Sequence, residues 1–143
     1  MCLQINPNNI RKRKQKIAYK VYSPAYDNYV EFYSPWQWTQ ANVGIIKSNR
    51  KSTKLTNKEI KEKEVSLGIH VFNTLKDVKE YVAKYGGIIF KVDVNPKHFV
   101  ASGESGRPST YPCFIKESVY TQISIPKTEY DKKVKEVKRS KKK

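Results

Sequence analysis

Between Leu67 and Val94 the hydrophobic period changes twice, and that succession constrains the fold more than any other feature of the chain. Gly68-Ile69-His70-Val71-Phe72 is a short apolar run of strand length. Thr74, with Asp77 three residues on, predicts a helix cap in which the carboxylate reaches back to the cap amide. Leu75, Val78, Val82 and Tyr85 then follow at helical spacing and form one apolar face. Gly86-Gly87 supplies the left-handed stop that a β-carbon disfavours. Ile88, Phe90, Val92 and Val94 next alternate with Ile89, Lys91 and Asp93, a period of two. The unit reads as strand, amphipathic helix and returning strand.

Other segments supply partners for it. Ile17–Tyr22 alternates, with Ile17, Tyr19 and Val21 on one face and Ala18, Lys20 and Tyr22 on the other. Tyr29–Tyr33 alternates as well, and each segment is followed by Ser-Pro. Val43–Ile46 is a brief apolar run. Val119, Thr121, Ile123 and Ile125 predict a last strand that Pro126 ends. The expected class is α+β: a small mixed or antiparallel sheet, whole or split, with one or two helices. The expected organisation is a basic N-terminal arm over 1–16, one domain over 17–126, and a lysine-rich tail over 127–143. Residues 47–64 are a basic insertion, a loop with a short charged helix at Asn57–Glu64. The arms are expected to be disordered or weakly helical alone, because they lack apolar side chains to offset ordering entropy. In the tail, Tyr130, Val134 and Val137 stand at helical spacing.

Charge is distributed unevenly. The net charge is +16, and Ile10–Lys20, Lys47–Glu64 and Pro126–Lys143 contribute +6, +4 and +6 of it, leaving the rest of the chain neutral. A balanced fold with basic appendages suits a polyanionic partner, against the plainer reading of lysine as a solubilising residue. Ten tyrosines, five phenylalanines and two tryptophans allow a core although hydrophobic residues are only 38% of the chain. Trp36 and Trp38, with Tyr26, Tyr29 and Tyr33, read as core rather than as stacking platforms for bases. No apolar run has the length of a membrane span or a signal peptide, so a cytoplasmic or virion-associated protein without membrane contact is expected. Cys2 and Cys113 are too few for a disulfide framework or a zinc site. No motif calls for a cofactor or a metal.

Motifs that carry chemistry are sparse. Cys2 would be an N-terminal nucleophile if Met1 were removed, but Leu3-Gln4-Ile5-Asn6 lacks the glycine-rich strand of enzymes built that way. His70 has no partner at catalytic spacing, which favours a structural role. Gly103-Glu104-Ser105-Gly106-Arg107 lies in a stretch, Ser102–Pro112, that reads as a surface loop. It lacks the Gly-Lys-Ser/Thr ending of a phosphate-binding loop.

Two resemblances attach to these residues. Met1-Cys2-Leu3, Tyr19-Lys20-Val21, Ser34-Pro35 and Gly68-Ile69-His70-Val71-Phe72 resemble a family of short proteins from gut bacteria, phages and related mobile elements. That resemblance implies a viral or mobile-element accessory protein. Gly68–Val94 is also similar, coarsely, to the strand–helix–strand of the ADP-ribosyltransferase-like fold. It would imply an NAD- or nucleotide-directed transferase using Lys20, His70 and Glu117, with Lys20 where that family presents an Arg or His. The expected function is non-enzymatic contact with nucleic acid or another polyanion. The expected contacts are Arg11, Lys12, Arg13, Lys14 and Lys16, Lys51 and Lys54, and Lys132, Lys133, Lys138, Arg139, Lys141, Lys142 and Lys143. A third expectation is a structural or packaged virion protein.

Overall fold

The computed structural model describes residues 3–6, 14–24, 32–33, 41–105 and 115–141. Among these the strands are β1 (Leu3–Gln4), β2 (Ile17–Pro24), β3 (Phe32–Tyr33), β4 (Gly44–Lys47), β5 (Glu64–Val65), β6 (Ile69–Phe72), β7 (Ile88–Asp93), β8 (Phe99–Ser105), β9 (Ile115–Tyr120) and β10 (Gln122–Ile125). The helices are α1 (Asn57–Glu62), α2 (Leu75–Tyr85) and α3 (Lys127–Lys141). The class is α+β. The strands run in the order β4-β10-β7-β2-β6-β9-β8-β1-β5, with β3 paired to the end of β2. Every pairing is antiparallel.

Two joints in this sheet are thin. β2 meets β6 at Tyr19↔Phe72 alone, and β10 meets β7 at Ser124↔Asp93 alone. By contrast β2 and β7 are in register from Ile17↔Asp93 to Tyr22↔Ile88. The β2/β6 joint opens beyond Tyr19 into a seam, and the candidate site lies there.

Alternation along the strands assigns side chains to two faces. Ala18, Tyr22, Ile69, Val71, Phe90, Val92, Tyr120, Ile123 and Ile125 form the main core, and Tyr130, Val134 and Val137 of α3 pack against it. On the other face Val21 and Phe72 meet Val78 and Tyr81 of α2, while Leu3, Ile5, Val65, Val100, Ala101 and Val119 form a neighbouring cluster. β2 is therefore covered on both faces.

α2 occupies the expected residues, but its buried face is centred differently. Val78 and Tyr81 are buried, whereas Leu75 and Tyr85 are 42% and 49% exposed. Tyr81 sits 5.1 Å from the Phe72 ring, so the aromatic pair draws the helix onto residues 78, 81 and 82. Thr74 accepts from the Asp77 amide at 3.2 Å, and the Asp77 carboxylate accepts the Thr74 hydroxyl at 2.7 Å rather than a cap amide. Asp is one methylene shorter than the glutamate of a full capping box. The complete box is in α1, where Thr56 accepts from the Glu59 amide and the Glu59 carboxylate accepts from the Thr56 amide. Gly86, at φ 77°, ends α2.

Four expectations need correcting. The last strand is two strands, because Thr121 leaves the ladder: its amide donates to His98 O and its carbonyl accepts from Ser48. The chain there changes partners, from β6 and β8 to β4 and β7. The expected loop at Ser102–Pro112 begins as strand, since β8 runs to Ser105. Gly103 in it is required by packing, because a β-carbon would stand 2.0 Å from the Gln4 carbonyl oxygen of β1. Within the N-terminal arm, Leu3 is fully buried and Ile5 nearly so. The tail, finally, expected to be disordered or weakly helical, forms a 15-residue helix. Its Tyr130, Val134 and Val137 gain what an isolated helix lacks, an apolar surface to cover. Trp36, Trp38, Tyr26, Tyr29, Cys2 and Cys113 lie outside the described residues.

Candidate functional site

Along the β2/β6 seam the main-core face of the sheet carries a cleft of about 420 Å3, within the range of small-molecule sites. Tyr22 and Ile69 form its apolar walls with Ile46 of β4. Lys20 is at its floor, and Lys47, Asn49 and Leu67 are exposed at its rim. No carboxylate lines it among the described residues.

Lys20 is there because alternation puts it on the face of Ala18 and Tyr22. Its Nζ donates to the His70 carbonyl at 3.0 Å, in the seam where β6 no longer pairs with β2, and lies 5.6 Å from the Tyr22 ring centre. Burial lowers its pKa to about 8, and the nearby Glu117 charge offsets part of that effect. The amine is thus a cation at neutral pH, held in a poorly solvated place.

His70 and Glu117 belong to the other face. His70 stands opposite Val119, and Glu117 opposite Phe72, which packs on α2. The His70 Nε2–H donates to Ser66 O at 2.9 Å, which fixes the tautomer. Burial pushes its pKa down to about 4; the Ser66 carbonyl works against that and the Lys20 charge adds to it. The ring is neutral at physiological pH and structurally committed. Glu117 is 5% exposed. Strand alternation thus gives Lys20 one face of the sheet and His70 and Glu117 the other, although the Lys20 charge is near enough to act on both.

The rim is held by Arg50, a residue that no sequence motif marks. Arg50, with a side chain 5% exposed, forms a fork with the Glu59 carboxylate at 2.7 and 2.8 Å. It also donates to the carbonyls of Ser52, Lys54 and Leu67. The bond to Leu67 ties residues 47–50 to the chain entering β6, so opposite rims of the cleft are fixed to each other. The Arg50 hydrogen bonds hold the Glu59 carboxyl below the usual carboxylate range. The insertion is therefore ordered rather than a free loop. Its signal in the sequence was a single arginine among lysines, nine residues before the glutamate of a capping box.

The expected polyanion contacts have diverse settings. Lys14, Lys16, Lys51, Lys54 and Lys132 are exposed. Lys133 is 15% exposed and sits between Glu129 at 3.6 Å and Glu136 at 3.5 Å, so its charge is taken up within α3. Lys138, Arg139 and Lys141 lie in the last turns of α3. Arg11, Lys12, Arg13, Lys142 and Lys143 are outside the described residues. Lys135, not among the expected contacts, is exposed on α3. No described helix is long and apolar enough to cross a membrane. No group of His, Cys, Asp or Glu among the described residues has the geometry of a metal site. No family model, no curated protein and no solved structure matches the chain.

Proposed function

We propose that this is a non-enzymatic accessory protein of a virus or mobile element that contacts nucleic acid, or another polyanion, through its lysine-rich segments. The observation that carries the reading is the setting of α3. Its apolar residues Tyr130, Val134 and Val137 are taken by the core, and Lys132 and Lys135 remain exposed. The basic tail is a docked helix with Lys132 and Lys135 toward solvent, so presenting them to a polyanion does not require ordering it first. Lysine is a compact, strongly hydrated point charge that suits phosphate oxygens better than base edges.

The test is fluorescence-anisotropy titration of labelled duplex DNA and single-stranded RNA of several unrelated sequences. The expected result is affinity that varies little with sequence and falls steeply with added salt. Binding confined to one sequence, or insensitive to salt, would overturn the proposal.

A further inference from the structure

The geometry points to the cleft at the β2/β6 seam as a binding site for a small organic anion, a phosphate monoester or carboxylate carried on an apolar body. Three observations converge on that ligand. The charges lining the cleft are Lys20 and Lys47, and no described carboxylate lines it with them. The Lys20 ammonium donates to His70 O at 3.0 Å and also lines the cleft, and an ammonium carries three N–H donors. Tyr22, Ile46 and Ile69, which are 1%, 8% and 5% exposed, supply the apolar part of the lining. An apolar body between such walls with an anionic end at Lys20 satisfies both surfaces at once.

The cleft is also formed before any ligand arrives. Arg50 joins its two rims through Leu67 O at 3.2 Å, and Ser48 is held by the Thr121 carbonyl through both its amide and its hydroxyl at 3.0 Å. Little ordering is left to oppose binding. An anion beside Lys20 adds to the partial compensation that the Glu117 charge gives this buried ammonium. The inference uses no residue of α3 and stands apart from the polyanion reading.

The test is a two-dimensional 1H–15N NMR titration of the full chain with AMP, benzoate and inorganic phosphate, each to millimolar concentration. AMP or benzoate should bind saturably and shift the amides of Ser48, Asn49, Gly68 and Ile69. Whichever binds more tightly identifies the anionic group as phosphate or carboxylate. Inorganic phosphate, lacking an apolar body, should bind at least about tenfold more weakly than the better of the two. Lys20→Met should weaken binding by roughly tenfold or more, the usual worth of a hydrogen bond to a charged group. Lys47→Met, at an exposed rim position that leaves the fold alone, should weaken it by about threefold. No saturable binding by AMP or benzoate would overturn the inference. So would shifts that map away from the cleft, inorganic phosphate binding as well as either, or unchanged affinity in Lys47→Met together with any folded Lys20→Met.

Discussion

Replacing Arg50 by Met removes a cation while keeping most of its packing volume, and its consequences can be worked from the contacts. The side chain is 5% exposed and its ion-pair partner Glu59 is 13% exposed. Removing one member of a buried pair costs about 3–5 kcal/mol, because the other charge stays poorly solvated. Glu59 keeps its bond from the Thr56 amide, and Ser52, Lys54 and Leu67 are exposed residues whose carbonyls can take water. The lower end, about 3 kcal/mol, is therefore expected. That is a large part of the 5–15 kcal/mol typical of a domain. With a urea slope of about 1–3 kcal/mol/M, the unfolding midpoint should fall by at least about 1 M. Arg50→Lys should recover only part of this, since a point charge cannot span both carboxylate oxygens and three carbonyls. A double-mutant cycle with Glu59→Gln should give a coupling above about 1 kcal/mol. Glu59 has a lowered folded-state pKa, so its contribution is present above the unfolded carboxylate pKa and is lost as pH falls through the folded value. The assay is urea unfolding followed by tyrosine and tryptophan fluorescence. A loss below about 1 kcal/mol for Arg50→Met would place the pair among exposed ones and refute the reasoning.

His70 binds its proton more weakly folded, at about 4, than unfolded, at about 6.5, so the unfolded state takes up the proton first. Stability should fall as pH drops from about 6.5 to 4, by at most about 3 kcal/mol. Urea midpoints across that range should show the loss in the wild type and not in His70→Gln; equal slopes would refute the assignment. Gly103→Ala puts a β-carbon 2.0 Å from Gln4 O and should detach β1 or cost more than about 2 kcal/mol, read as faster amide exchange at Leu3–Ile5. Tyr130→Ala removes the ring that lies 6.2 Å from Phe90 and should cost about 1–3 kcal/mol; a neutral result would mean α3 is not docked.

The strand–helix–strand unit was legible because its residues obey one period at a time: Ile88–Val94 alternate, and Gly86 stops the helix with no tertiary help. β2 was legible for the same reason, and its alternation placed Lys20 on the face of Tyr22. That these residues border a cleft was not legible, since it depends on Ile46 arriving from the far end of the sheet and on the β2/β6 seam. Lys20, His70 and Glu117 were grouped by a coarse fold resemblance, and sequence alone does not show which side of a sheet each faces. The tail misled because Tyr130, Val134 and Val137 are too few to hold a free helix. The surface they cover, Ile88 and Phe90, is contributed from about forty residues upstream. Arg50 was hidden by composition, one cation in a segment rich in them.

The polyanion reading rests most directly on the exposed lysines of α3, and deleting the tail would strip the core as well as the charge. The clean comparison is Lys132→Gln/Lys135→Gln against the wild type, two exposed positions away from the Tyr130–Val134–Val137 face. Affinity for one duplex DNA is measured at several salt concentrations and plotted as log affinity against log salt. Each lysine that touches a phosphate contributes about 0.9 to the slope, so the variant should be shallower by about 1–2. Identical slopes, with the variant folded, would mean these cations meet no phosphate and would contradict the account.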